Sequence, residues 1–287
     1  MKIPTTRRAH SLVAAGRSAL ALAIVGLLFA LGSNAVAAPT AVGLGKADSF
    51  AVLAGTTITN TGTTTITGDI GISPGSSLTG GPPLMILNGT SNVADPVALG
   101  AQAALGTAFD NAAGQTPATA IPSELGGSKL VPGIYSSGVF TITNTLTLDA
   151  GNDPNAVFVF QSAATLIAAA GSHVNLINGA SPCNVFWLVR SSATLNTTAD
   201  FSGNILALTD VHLRTGATVQ GRVLARNGEV TLDANTITRP ACSSSTSTSP
   251  SPSTSPSTSP SPSTRTVASQ ITAVPRGPVG TGDNSIG

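Results

Sequence analysis

Apolar and small polar residues alternate along most of the chain. Residues 56–62 (TTITNTG), 140–151 (FTITNTLTLDAG) and 230–238 (VTLDANTIT) place apolar side chains at alternate positions, with Thr, Asn or Asp between them. A period of two is typical of strands that bury one face and expose the other. Gly, Asn and Asp separate these segments, so the pattern predicts an all-β fold of many short strands, in a sandwich, a barrel or a solenoid.

An imperfect internal repeat favours the solenoid. Residues 157–177 and 185–208 each begin with an apolar strand, continue through a Ser- and Ala-containing run ending in Thr-Leu, and end in a further strand. Residues 212–232 form a looser third copy. A spacing of about 24–29 residues suits one turn of a β-helix with one strand on each of three sides.

One segment departs from the β pattern. Residues 95–113 are rich in Ala, and Val97, Ala101, Leu105, Ala108 and Ala112 recur at helical spacing. Asp followed by Pro at its start is a good N-terminal signal, and the Gly that follows is a plausible stop. The sequence predicts a single helix whose narrow, Ala-lined stripe packs along the solenoid.

The two ends of the chain differ from the middle. Residues 1–37 combine a basic segment, a short apolar run and small residues before a cleavage point, which predicts a signal peptide and secretion. Residues 243–264 contain only Ser, Thr and Pro and predict a disordered linker, followed by a flexible tail at 265–287. The folded domain is therefore expected at 38–242, without membrane insertion of the mature chain.

The sequence contains two cysteines, Cys183 and Cys242. In an oxidising compartment an isolated pair most simply forms one disulfide. We therefore expect a bridge that joins the exit of the domain to its body, and no metal site.

Charge and candidate chemistry exclude several function classes. Four of the 13 basic residues lie in the first 17 positions, and the remaining nine are outnumbered by 12 acidic residues, which argues against nucleic-acid binding. His173 and His212 flank apolar strand residues and are expected at the surface. Asp210 and His212 form only a lone pair, without a nucleophile to complete a catalytic site. We expect no enzyme activity and no cofactor.

What remains is a surface of outward-facing Thr and Asn. Stacked coils of a solenoid align such residues in ranks about 4.7–4.9 Å apart. A flat, rigid, uncharged array of methyl and hydroxyl groups suits a periodic solid such as ice, although Thr is also simply a good exposed strand residue. The candidate binding residues are Thr145, Thr147, Thr194, Asn196, Thr236 and Thr238.

Several long blocks carry a family resemblance. Residues 47–80, 124–135, 146–161, 177–189 and 221–237 are similar, in this order, to the bacterial and fungal ice-binding-protein-like family. The resemblance implies a discontinuous right-handed β-helix of triangular section, one α-helix alongside it, and ice binding through one flat face without catalytic residues.

Two further expectations accompany the resemblance. His212 and Arg214, on a strand next to Thr194, are expected to roughen a face, which argues against strong activity. The alternative function is a cell-surface adhesin or structural module that binds glycan or cells, because a disordered stalk fits either role. Residues 274–282 resemble the P-x-G-x-x-T-G tails of actinobacterial surface proteins, which suggests the hypothesis of cell-wall association. A sorting signal also has an apolar segment with a basic end, and none follows these residues.

Overall fold

The computed structural model describes residues 38–82 and 84–242. The predicted signal peptide, linker and tail lie outside these residues. The described chain contains one α-helix, α1 (Pro96–Ala113), and short 3-10 helices at Gly45–Ala47 and Pro182–Asn184. Its strands are β1 (Phe50–Ala54), β2 (Thr57–Thr61), β3 (Thr65–Thr67), β4 (Asp69–Ile72), β5 (Ser77–Gly81), β6 (Met85–Leu87), β7 (Ser91–Val93), β8 (Thr119–Ala120), β9 (Lys129–Leu130), β10 (Gly133–Ser137), β11 (Phe140–Ile142), β12 (Thr145–Asp149), β13 (Phe158–Ser162), β14 (Leu166–Ala168), β15 (His173–Ile177), β16 (Val185–Val189), β17 (Ala193–Leu195), β18 (Asp200–Ala207), β19 (Val211–Leu213), β20 (Thr218–Ala225), β21 (Val230–Asp233) and β22 (Thr236–Thr238).

The strands form three faces of parallel strands, which confirms the three-sided β-helix. The helix-covered face runs in the order β8, β10, β13, β16, β18, β20, β1, β4 and β7. The first open face runs β11, β14, β17, β19, β21, β2 and β5. The second open face runs β9, β12, β15, β18, β20, β22, β3 and β6. The two long strands β18 and β20 turn a corner, so that each belongs to two faces.

Glycine makes those corner-turning strands possible. Gly203 in β18 and Gly221 in β20 are register partners with φ of 115° and 157°. A Cβ at Gly221 would lie 1.8 Å from the carbonyl oxygen of Gly203. Only a residue without a side chain fits such a close stack of bends.

The coils do not stack in sequence order, so the β-helix is discontinuous as expected. The first strands, β1 to β3, pair with the last strands, β20 to β22. The chain builds the coils at one end, crosses along α1 to the other end, and winds back until β22 meets β3. The helix has 18 residues, a length of about 27 Å at 1.5 Å per residue.

The helix begins and ends where the sequence predicts. The Asp95 carboxylate caps it by accepting from the Ala98 amide at 2.7 Å, Pro96 follows, and the C-terminal cap is Gly114. Its small residues let it lie close to the helix-covered face, where Leu105 and Phe109 join a second hydrophobic layer. The prediction that Val97 belongs to the buried stripe is wrong, because its side chain is 55% exposed. None of the helices in the described residues is long and apolar enough to cross a membrane.

The interior of the coils is filled by the inward half of each alternating strand. Ile58, Ile66, Leu146 and Leu195 are fully buried, as their pattern predicts. Trp187 is also in the core, with its ring stacked on Phe160 at 4.0 Å between centroids. Packing therefore fixes which side chains point outward.

The predicted disulfide between Cys183 and Cys242 is present. Beside it lies Arg222, which is fully buried and donates to Asp48 Oδ1 at 2.7 Å and to Asn204 Oδ1 at 2.8 Å. Burial lowers the pKa of Arg222 to about 10, partly opposed by the nearby carboxylate, so the guanidinium stays charged at neutral pH. This cluster joins the start of the domain, its middle coils and its exit.

Candidate functional site

The described residues offer little for catalysis. No group of three or more His, Cys, Asp and Glu side chains in this part of the chain could hold a metal ion. Asp210 acts as a structural acceptor, because its Oδ1 receives the Glu229 amide at 2.9 Å. Its predicted neighbour His212 instead contacts the Thr231 hydroxyl at 3.0 Å. The candidate binding residues predicted from the sequence form a surface, and they lie on the two open faces.

The six candidate residues lie on both open faces. Thr194 and Asn196 belong to the first open face, at and just after β17. The Asn196 side chain donates to the Ala168 carbonyl at 3.0 Å, so it helps to join adjacent coils. The other four lie on the second open face. Thr145 and Thr147 on β12 are separated there from Thr236 and Thr238 on β22 by β15, β18 and β20.

Charged residues occupy the half of the second open face that contains β9, β12 and β15. Lys129 Nζ lies 2.7 Å from Asp149 Oδ2, and His173 Nδ1 lies 3.7 Å from Asp200 Oδ2 on β18. The contact with Lys129, together with hydrogen bonds from Gly151 and Asn178, lowers the pKa of Asp149 to about 2. These side chains interrupt the ranks around Thr145 and Thr147, because His173 is the register partner of Thr145 and Lys129 that of Thr147.

The other half of the second open face is uncharged and regular. Thr218, Thr236 and Thr65 are consecutive register partners on β20, β22 and β3. Two residues along the same strands, a second rank repeats this alignment. We call these two ranks the threonine array; its members are Thr65, Thr67, Thr218, Gln220, Thr236 and Thr238.

The array has the dimensions of a small lattice. Adjacent strands lie about 4.8 Å apart, and the two ranks are about 6.6 Å apart along each strand. The inward residues between the ranks, Val219, Ile237 and Ile66, are 1% exposed or less, so a packed core supports the surface. Each Thr is β-branched and restricted about χ1, which keeps its methyl and hydroxyl groups in place.

The hydroxyl groups of the array are mostly free for an external partner. Thr218 donates to Asp200 Oδ1 at 2.7 Å, at the border with the charged half. Within residues 38–82 and 84–242, the hydroxyls of the four Thr on β3 and β22 have no hydrogen-bond partner. At the far end, Met85 and Leu87 continue the two ranks with apolar side chains that are 51% and 43% exposed.

Threonines of the first open face are more often engaged within the protein. The Thr59 hydroxyl lies 3.2 Å from that of Thr79, and Thr141 donates to Glu124 Oε2 at 2.9 Å. His212 lies directly opposite Thr194 in the strand register. As the sequence suggests, His212 and the exposed Arg214 interrupt this face.

The sequence predicts Thr236 and Thr238 as contact residues but not the other members of the array. The signal at 65–67 was present, because its Thr-Ile-Thr repeats the Thr-Ile-Thr at 236–238. The two segments are far apart in the sequence, near the start and the end of the domain, and only the discontinuous fold makes them neighbours. Gln220 carried no such signal.

This chain is similar in sequence to known ice-binding proteins. The model of the family described as ice-binding-like matches residues 52–238. An ice-binding protein of Nostoc sp. (strain HG1) is 48% identical over 202 residues, which are 69% of this chain and 74% of that protein. An ice-binding protein of Flammulina populicola is 36% identical over 245 residues, 76% of this chain and 96% of that protein.

Solved structures give the same assignment. The crystal structure of an ice-binding protein from an Antarctic biological consortium has a TM-score of 0.68 and 44% identity, covering 70% of this chain and 92% of that one. The ice-binding protein of the Antarctic ascomycete Antarctomyces psychrotrophicus has a TM-score of 0.68 and 40% identity, covering 71% and 100%. The chain belongs to the ice-binding-like family.

Proposed function

We propose that this protein binds ice and that the threonine array is its contact surface. The relatives named above are ice-binding proteins, which supports the activity. The observation that carries the location is the alignment of Thr65, Thr218 and Thr236 in one rank, with a parallel second rank beside it.

Rigidity is the physical reason why this surface suits ice. A partner that is itself a rigid solid cannot adapt, so the protein must present its groups in place. Because the array stands on a packed sheet, little side-chain entropy is lost on contact. Its methyl groups add apolar contact, while its hydroxyls hydrogen-bond to ordered water.

The absence of charge on the array favours it over the other half of the same face. Lys129, Asp149 and His173 bind liquid water strongly, and their desolvation would oppose adsorption. Thr145 and Thr147 lie among these groups. We therefore assign the contact to Thr236, Thr238 and their neighbours, with Thr145, Thr147, Thr194 and Asn196 outside the main surface.

The proposed function is binding without catalysis, outside the cytoplasm. The named relatives are ice-binding proteins, which supports a role other than that of an enzyme. The disulfide between Cys183 and Cys242 supports an oxidising compartment, because cytosolic thiols are kept reduced.

The test compares two Thr→Tyr variants of the full chain. Thr238→Tyr places a bulky ring in the array, whereas Thr107→Tyr places it on the exposed side of α1. We expect the wild-type protein and Thr107→Tyr to show equal thermal hysteresis and equal uptake into a growing ice hemisphere. Thr238→Tyr should lose most of both while keeping its unfolding temperature, because Tyr is well tolerated at exposed strand positions.

Two results contradict the proposal in different ways. Equal activity in all three proteins removes the array as the contact surface but leaves ice binding intact. A wild-type protein without hysteresis, recrystallisation inhibition or uptake into ice removes the function itself, and the adhesin alternative takes its place.

A further inference from the structure

We infer that the first open face carries a second binding site, for an anionic sugar residue of an acidic polysaccharide. The site is a depression of about 330 Å³ on β19, β21 and β2. The residues that matter to its chemistry are Thr59, Thr61, His212, Arg214, Thr231 and Asp233. This volume lies at the lower end of the range for ligand pockets and suits one sugar ring.

The depression arises from a difference in side-chain height across three aligned strands. His212, Thr231 and Thr59 form one rank, and Asp233 and Thr61 are partners in the next. The long side chains are those of His212 on β19 and of Arg214 directly after it, and shorter ones follow on β21 and β2. The result is a wall beside a floor of hydroxyl and carboxylate groups, unlike the level surface of the threonine array.

Arg214 supplies the cationic group that an acidic sugar requires. Its backbone is fixed on both sides, because its amide donates to the Leu195 carbonyl at 2.8 Å and its carbonyl accepts from the Asn235 side chain at 2.8 Å. Its side chain is exposed, and the described residues place no carboxylate within ion-pair distance of its guanidinium. A planar guanidinium pairs with a carboxylate through two parallel hydrogen bonds.

The remaining groups match the hydroxyls of a sugar ring. The Asp233 carboxylate already accepts from the Thr215 hydroxyl, so it is oriented in advance. The contact with Thr231 occupies Nδ1 of His212 and leaves the other ring nitrogen for a ligand. Acceptors and donors therefore line the same depression as the cation. A uronic acid, with one carboxylate and several hydroxyls, is the ligand class that uses both.

The residues that line this depression include no Phe, Tyr or Trp, which sets the expected mode of binding. Without one of these large rings to stack on the sugar, charge and hydrogen bonds must supply most of the affinity, so a single sugar should bind weakly and salt should weaken it further. A polymer raises the affinity by presenting many sugars close together. The partner is therefore an extracellular acidic polysaccharide, and the site would let an ice-binding molecule remain attached to such a matrix.

The test measures retention of the full chain on immobilised alginate, a uronic acid polymer, and on dextran, a neutral polymer. Arg214→Gln removes the proposed cation. Arg190→Gln makes the same charge change at another exposed position, outside this depression. We expect retention of the wild-type protein and Arg190→Gln on alginate, none on dextran, and loss of retention for Arg214→Gln. All three proteins should show the same thermal hysteresis.

Each other outcome has a defined meaning. Equal losses in Arg190→Gln and Arg214→Gln, equal retention on dextran, or no retention of the wild-type protein overturns the inference without affecting ice binding. Competition by free galacturonate as strong as that by the polymer, at equal sugar concentration, supports the site but identifies the free sugar as its ligand. A parallel loss of hysteresis in Arg214→Gln overturns the separation of the two sites.

Discussion

The two halves of the second open face are built alike on the inside and differently on the outside. Leu148 under the charged half and Ile237 under the threonine array are both fully buried, at inward positions of Thr-containing strands. Outside, one half carries the Lys129–Asp149 ion pair, whereas the other carries aligned Thr. The strand pattern thus fixes the fold, while the outward residues decide what each region can bind.

The largest expected effect is a loss of stability on truncation of the buried core that the two halves share. Ile237→Ala and Leu148→Ala each remove a buried side chain, and each should lower the free energy of unfolding by about 2–5 kcal/mol. Chemical denaturation checks this. A large loss in one variant and none in the other would show that the two halves do not have equivalent cores.

Removal of the disulfide should destabilise the two halves of the second open face unequally. Cys183→Ser combined with Cys242→Ser releases a loop closed over 59 residues, and the chain-entropy model gives a loss on the order of 4 kcal/mol before native-state strain. Because Cys242 follows β22, amide exchange should rise there more than in β12. Equal exchange in the two strands would contradict a local role of the bridge. Mass spectrometry without reduction checks that the wild-type protein has no free thiols.

The smallest effect is a pH dependence confined to the charged half. The pKa of Asp149 is about 2 in the folded protein against 3.8 ordinarily, so its contribution to stability is present above about pH 4 and is lost as the pH falls through 2. Asp149→Asn should lack this part of the acid transition. The array contains no ionisable side chain, so hysteresis of the folded protein should be the same at pH 4 and pH 7. A pH-dependent hysteresis would show that titrating groups take part in the contact.

The sequence predicted the local structure well and the long-range neighbours poorly. Asp95, Pro96 and Gly114 marked the helix because caps act within one turn of the chain. Alternation predicted that Ile66 and Leu146 are buried, since it depends only on adjacent residues.

Which outward residues share a surface depends on the order in which the coils stack. That order is set by the pairing of β22 with β3, between distant parts of the chain, and no local pattern encodes it. The contact residues predicted from the sequence therefore lie on both open faces. Thr236 is among them, whereas Thr65, its direct neighbour, is not.

The most direct test of the central claim is the thermal hysteresis of two matched charge variants. Thr238→Lys and Thr145→Lys each place one cation at an outward Thr of the same face, in the array and in the charged half respectively. We expect that Thr238→Lys loses most of the wild-type hysteresis and that Thr145→Lys retains it, with both proteins folded. Retained activity in Thr238→Lys together with loss in Thr145→Lys would contradict it and move the ice contact to the other half of the face.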